Sequence, residues 1–279
     1  MMLLYNGHLL PEAGFSLPMP NRGLFFNDGF FETMVWTNEQ VQYARFHLAR
    51  MHRAAAALKL EVPAALATTA ALQATVRHLV AASAPSTTGH RVRLQLWRSG
   101  GGLYTPTTTA AEWLMTQQPF QVMEAPVRHC GIAQSVHTQP SPISFCKGPN
   151  ALTYVLAAQE RQQRGLDELV IVSPDDFVAE TVAASIAWIK GNTVYSPAES
   201  TGCVAGSRLA HLRAAVGPVG LNWELGNFRP EEMLQAEAVF TANIAGIRAV
   251  AQIEGVDFLP EPHPVLQQLR ALDNRSKLA

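Results

Sequence analysis

Charge is scarce in this chain. Asp, Glu, Lys and Arg make up 15% of its 279 residues, against roughly 25% in an average soluble domain. The formal net charge is -1, so no global field draws the chain to nucleic acid or to an acidic membrane surface. Cysteine is scarcer still. Cys130, Cys146 and Cys203 are odd in number and widely spaced, which excludes a disulfide framework and a CxxC metal pair and fits a reducing cytoplasm. No apolar run approaches the roughly 20 residues of a membrane span. The opening MMLLYNGHLLPEAG lacks a basic region and an adequate apolar stretch, so no signal peptide is expected. SKLA near the other end is not a peroxisomal address, because the tripeptide is not terminal. A Walker GxxxxGK[ST] loop and a Rossmann GxGxxG turn are both missing. His47 and His52 are spaced wrongly to ligate jointly from one helix face, and the other histidines are scattered. No metal site is expected.

What is present describes a packed enzyme-like chain. Hydrophobic residues reach 48%, enough for a substantial core in one large domain or two ordinary ones. Asn6-Gly7 reads as a hairpin turn. FFETMVW and VQYARF read as a hairpin around TNEQ, followed by the helical HLARMHRAAAALKL and an Ala-rich helix over residues 66–82. HRVRLQLWR alternates like a half-buried strand, and EWLMTQQPF reads as another. The pattern weakens over residues 119–126, the expected linker between an N-terminal lobe (1–118) and a C-terminal lobe (127–279). Beyond it come GIAQSVH, the helix NALTYVLAAQERQQRG with its Gly stop, and the strand runs ELVIVSPDDFVAE and SIAWIKGNTVYSP. A Gly-rich entry into a helix follows, then PEEMLQA, two strands and a terminal helix from Pro264. Mixed helices and strands throughout predict an α+β chain in two α/β lobes.

Four stretches could carry chemistry. Lys147 in SFCKGPN follows two bulky apolar residues and precedes a turn. It is either an ordinary solvated loop lysine or a desolvated amine able to act as a Schiff-base nucleophile. Glu180 ends an apolar run and is either a turn acid or the partner of a heterocycle's ring nitrogen. Gly202, Ala205, Gly206 and Ser207 precede a helix, where converging backbone N–H groups suit an anion. A plain flexible connector would read the same way. His47 and Arg50 share a helical face, and the fork of Arg50 suits a phosphate.

In order and spacing, these pieces resemble the class IV aminotransferase family of pyridoxal-phosphate enzymes, the fold-type IV group. RGLFFNDGFFETMVW is similar to its "RG..YGDGVFET" entry, HLARM to "HL.RL", and WRSGGGLY to "RG.G.RGY". CKGPNALTYVLAAQERQQRGLDELVIV is similar to "K..N...LA...A...G.DEA", and VAETVAASIAWIKGNTVYSP to "V.E....N.F....G.VYTP". The resemblance implies a D-amino-acid-aminotransferase-like fold, pyridoxal 5'-phosphate in the cleft between two lobes, and a cytoplasmic homodimer whose partner completes the pocket. It implies that Lys147 forms the Schiff base and moves the proton, that Glu180 pairs with the pyridinium nitrogen, and that Thr33 assists proton transfer. The cofactor contacts it implies are Arg50, Ser185, Ala205, Gly206, Ser207, Thr241 and Asn243; Phe31, Arg98 and Tyr104 border the substrate pocket.

The chain also departs from the family pattern. Ser185 stands where an Asn is usual, Asn150 and Ala151 stand where a tyrosine often follows the lysine, and Ala205-Gly206-Ser207-Arg208 replaces Gly-Ile-Thr-Arg. No Arg-x-His follows Arg98, and the second arginine of "RG.GGRGY" is missing. The leading expectation is amino transfer between an amino acid or amine and a 2-keto acid. The alternative is cleavage of 4-amino-4-deoxychorismate to 4-aminobenzoate and pyruvate, and a third reading is a non-turnover cofactor or metabolite binder. Arg45, Arg93 and Arg98 all remain open as receivers of a substrate carboxylate.

Overall fold

The computed structural model describes residues 1–84, 86, 88–258 and 263–275; SKLA, at residues 276–279, lies outside them. The chain divides into two compact units, Met1–Gln121 with Cys146–Pro149, and Val122–Phe145 with Asn150–Ala279. The segment carrying Lys147 therefore groups with the first unit, not with the C-terminal lobe expected from the sequence. The cause is local: Phe31 N–H donates to Lys147 O at 2.9 Å, and Asn27 Nδ2 donates to Gly148 O at 2.8 Å.

The first unit is built on a six-stranded sheet. In chain order it contains β1 (Met2–Tyr5), β2 (His8–Pro11), α1 (Arg22–Phe26), β3 (Gly29–Thr37), β4 (Gln40–Val41), α2 (Ala44–Leu58), α3 (Thr69–Ala81), β5 (His90–Arg98) and β6 (Ala111–Pro119). The strands lie in the order β2-β1-β6-β5-β3-β4. Asn6 and Gly7 both take positive φ, +50° and +88°, as the tight turn joining β1 and β2 needs. The second strand of the expected FFETMVW/VQYARF hairpin is only two residues long, because Tyr43 enters the left-handed region at φ 54° and α2 starts at Ala44. Thr68 caps α3, accepting from Ala71 N at 3.1 Å. Alternation along β3 and β5 sends Phe30, Met34, Val92, Leu94 and Leu96 to one face, where all are at most 1% exposed.

The second unit stacks helix, sheet, sheet and helix. Its elements are β7 (Cys130–Ile132), α4 (Ala151–Gln163), β8 (Glu168–Val172), β9 (Val178–Thr181), β10 (Ser185–Lys190), β11 (Thr193–Pro197), α5 (Ser207–Ala215), β12 (Asn222–Gly226), α6 (Pro230–Leu234), β13 (Ala238–Asn243), β14 (Gly246–Val250), β15 (Gln252–Ile253), β16 (Val256–Asp257) and α7 (Pro264–Arg275). They form two five-stranded sheets, ordered β12-β11-β10-β13-β14 and β16-β15-β7-β8-β9. Val127, Cys130, Val170 and Val178 meet Ile186, Trp188 and Val239 between the sheets. Leu212 of α5 and Leu266 and Leu269 of α7 cover the outer face of the first sheet, while Ala157 of α4 packs on Leu169 and Ile171 of the second. Each expected strand run, ELVIVSPDDFVAE and SIAWIKGNTVYSP, is a two-strand hairpin, turning at Asp176 (φ 62°) and Gly191 (φ 56°). β12 is an addition that the sequence reading lacked; it pairs in parallel with β11.

Candidate active site

The expected functional residues fall in both units. In the first, Lys147 extends the β3 edge through an isolated antiparallel bridge to Phe31. Directly opposed residues of an antiparallel pair project to the same face. Lys147 therefore shares a face with Phe31 and, across β5, with Gln95; Thr33 and Arg93 form the next row. Gly148 follows at φ +128°, and a Cβ there would come within 3.2 Å of Phe30 Cα. Glycine is what lets the lysine segment lie this close to β3. Cys146, by alternation, points the other way and is 4% exposed; burial pushes its thiol up to about 11.

That opposite face holds a cluster the sequence reading only half anticipated. Arg50 donates through Nε and Nη2 to Glu32 Oε1 and Oε2 at 2.7 and 2.6 Å, and His47 Nδ1 lies 2.7 Å from Oε2. Glu32 is fully buried. Burial alone would raise its pKa, but the Arg50 charge and the hydrogen bonds from His47 and Arg50 outweigh it and hold the carboxyl at about 2. For His47, burial dominates and lowers the imidazole. Glu32 was missed because its partners lie 15 and 18 residues away. The available signal was an acid in an otherwise apolar strand preceding the His-x-x-Arg of α2.

Of the three arginines left open as carboxylate receivers, Arg98 is closed by its own partners. A guanidinium has five N–H donors, and Arg98 spends all of them. Nε and Nη2 reach Asp28 at 2.9 and 3.4 Å, Nη1 reaches Lys59 O and Thr108 O, and Nη2 also reaches Leu58 O. No donor is left for a substrate carboxylate. Arg98 ties β5 to the end of α2 instead. Asp28 is shared with Arg22, whose Nε donates at 2.7 Å while its Nη1 holds the carbonyls of Gly101, Gly102 and Leu103. The loop so held carries Tyr104, 91% exposed and 5.8 Å from the Phe26 ring.

Arg93 contrasts with it. Its guanidinium carbon lies 3.8 Å from the Phe31 ring centroid, and Nη2 reaches Gln95 Oε1 at a long 3.4 Å. Among the described residues, no carboxylate pairs with it, and burial lowers its pKa. Arg45, the third open arginine, is exposed and stacks on its neighbour Phe46. Thr33 is buried beside Phe31.

In the second unit, Glu180 lies in β9, next to its last residue, and is 4% exposed. Its Oε1 accepts from Tyr154 OH at 2.7 Å and from Val204 N at 3.1 Å. Ser185 opens β10, and a Cβ on Gly206 would overlap the Ser185 hydroxyl, so two departures from the family pattern fit each other. Gly206 caps α5 and Ser207 is its first residue, with Ala205 N bonded to Phe145 O. Thr241 is buried on β13. The Asn243 amide is engaged at both ends, by Ala183 O and Ala245 N, so it braces the β13–β14 turn against the start of β10. Among the described residues there is no group of His, Cys, Asp and Glu able to hold a metal ion, and no helix is long and apolar enough to cross a membrane.

A family model described as amino-transferase class IV matches residues 29–253. D-alanine aminotransferase of Bacillus licheniformis is 25% identical over 91% of this chain and 89% of its own. Aminodeoxychorismate lyase of Bacillus subtilis (strain 168) is 23% identical over 92% and 88%. The crystal structure of a branched-chain aminotransferase from the archaeon Thermoproteus uzoniensis, solved with norvaline, superposes with a TM-score of 0.87 at 21% identity, covering 100% of this chain and 95% of that one.

Proposed function

The chain belongs to the class IV aminotransferase family, whose members use pyridoxal 5'-phosphate, and on that premise we propose that it is a transaminase moving an amino group between an amino acid or amine and a 2-keto acid. The observation that carries this reading is the bridge of Lys147 to Phe31, which puts the lysine on the same sheet face as Arg93. The residues fit the cofactor. A lysine held at a strand edge can take its aldehyde carbon, a buried carboxylate can face its ring nitrogen, and a helix N-terminus at Gly206 and Ser207 suits its phosphate. When bound, pyridoxal phosphate supplies an electron sink for the bonds at the substrate Cα.

The chain's own groups do the rest. Lys147 offers the amine that binds the cofactor and then carries the proton at Cα, with the Thr33 hydroxyl nearby on the same face. Glu180 holds the ring-nitrogen proton. The Gly206 and Ser207 amides bind phosphate with the hydroxyls of Ser185 and Thr241, while Arg50, tied to Glu32 on the sheet face opposite Lys147, braces the strand to which the lysine bridges. Arg93 receives a substrate carboxylate; its stacking on Phe31 orients the fork before substrate arrives. The lyase reading keeps a place because of the similarity to the Bacillus subtilis lyase and because no tyrosine stands at Asn150 or Ala151.

We further assign a homodimer, with Leu24, Phe25, Leu103 and Tyr104, each 57% exposed or more, as apolar surface for a second copy. Three buried free thiols suit a cytoplasmic site. The test is spectrophotometric. Protein incubated with pyridoxal phosphate should gain a visible band that borohydride abolishes, and Lys147→Ala should not gain it. Amino donors should then convert the cofactor to pyridoxamine phosphate. Release of 4-aminobenzoate from aminodeoxychorismate with no keto acid present establishes the lyase instead. A wild-type protein that takes up no cofactor overturns both readings.

A further inference from the structure

Tyr154 stands in the first turns of α4 with its ring packed against Ala133, Ala157, Leu169 and Ile171. Apolar contacts fix the body of the side chain, and its hydroxyl goes to an acid: the O–H donates to Glu180 Oε1 at 2.7 Å. The Val204 amide donates to the same oxygen at 3.1 Å. Two donors from different elements, α4 and the segment before α5, thus converge on one atom of a carboxylate that is 4% exposed.

We propose that Tyr154 is a positioning residue that acts through Glu180, fixing the carboxylate's orientation and keeping it ionised against the ring nitrogen of pyridoxal phosphate. The proposal rests on the cofactor reading above. A phenol donating to a carboxylate makes a short, charge-assisted hydrogen bond that favours the ionised form. A carboxylate stabilised in this way is a weaker base, so the shared proton stays on the ring nitrogen, where it is needed. Within this unit, Cys203 is the titratable neighbour of Glu180 on the α5 side. Burial first, and then the Glu180 charge, push its thiol up to about 12, so it stays neutral and adds no competing charge. The strand partner of Glu180 on β8 is Ile171, which brings no charge.

Tyr154→Phe removes the hydroxyl and keeps the packing ring. The measurement is a pH titration of the visible absorption band of full-length protein loaded with pyridoxal phosphate, alongside the dissociation constant of the cofactor. Without the phenol, Glu180 presents more negative charge to the ring, so protonated nitrogens of the bound cofactor titrate at higher pH. The midpoint should rise by about one pH unit, the scale of one charge-assisted hydrogen bond. The dissociation constant, read alongside, separates a loss of binding from a shift of the midpoint. In a Glu180→Gln background the same change should have no further effect on the midpoint. A fluorotyrosine placed at 154, with a more acidic phenol and nearly the same volume, should move the midpoint down. A side chain that only packs would alter melting temperature and leave the midpoint where it was. If both variants titrate like the wild type, the inference is overturned while the cofactor reading stands. A wild type with no visible band overturns the cofactor reading, and this inference with it.

Discussion

On one face of the first unit's sheet, Glu32 and Arg98 are buried under helices and matched donor to acceptor; on the other, Arg93 stacks on Phe31 with no carboxylate beside it among the described residues, and Lys147 enters at the strand edge. Both faces are built from the same two strands, five residues separating Arg93 from Arg98 on β5. What separates scaffold from site is therefore the accounting of donors on each arginine, not residue type or distance along the chain. An ion removed from water without a full set of partners costs several kcal/mol, so the covered face tolerates charge only when it is paired. The half-exposed face can keep an unmatched cation for a ligand.

The largest effect should come from breaking the covered face. Glu32→Ala leaves Arg50 buried without its carboxylate and should cost about 3–5 kcal/mol, read as a large fall in melting temperature. The wild-type cluster also predicts an acid limb. The folded pKa of Glu32 lies below its ordinary 4.5, at about 2, so its stabilisation is complete above the ordinary value. It is lost as pH falls through that window. Glu32→Gln should flatten the limb, as followed by denaturant unfolding at stepped pH. A stability curve between those pH values unchanged by Glu32→Gln would refute the pairing.

Next in size is Arg98→Met, which strands Asp28 and several carbonyls. It should cost about 2–3 kcal/mol, seen in chemical denaturation, and should loosen the loop that Arg22 also holds. The matching change on the open face, Arg93→Met, sharpens the contrast. It should alter stability by no more than ~0.5 kcal/mol, yet raise KM for a carboxylate-bearing substrate about tenfold. Equal stability losses at Arg93 and Arg98 would erase the distinction between the faces. Tyr154→Phe should be quieter in stability, with its effect on the cofactor titration midpoint.

Much of this was legible in the sequence where the signal is local. Asn6-Gly7 declared its turn, the alternation of HRVRLQLWR declared β5, and the apolar-Lys-Gly-Pro-Asn junction placed Lys147 before a helix. What stayed hidden depends on partners far along the chain. Alternation breaks at Trp97 and Arg98, both buried, so the strand pattern could not say which way Arg98 turned. Glu32 looks like any polar residue of a strand until α2 brings His47 and Arg50 over it. Grouping of the lysine segment with the first unit depends on Phe31 and Asn27, more than 110 positions earlier. The hydroxyl of Tyr154 found its acid only once α4 and β9 had packed.

The central claim is that Lys147 is the amine that holds the cofactor. Borohydride reduction of the protein loaded with pyridoxal phosphate, followed by proteolysis and peptide mass spectrometry, tests it most directly. The account predicts one phosphopyridoxyl adduct, on the peptide containing Lys147. An adduct on Lys59, Lys190 or Lys277 in its place, or no adduct at all, would contradict it.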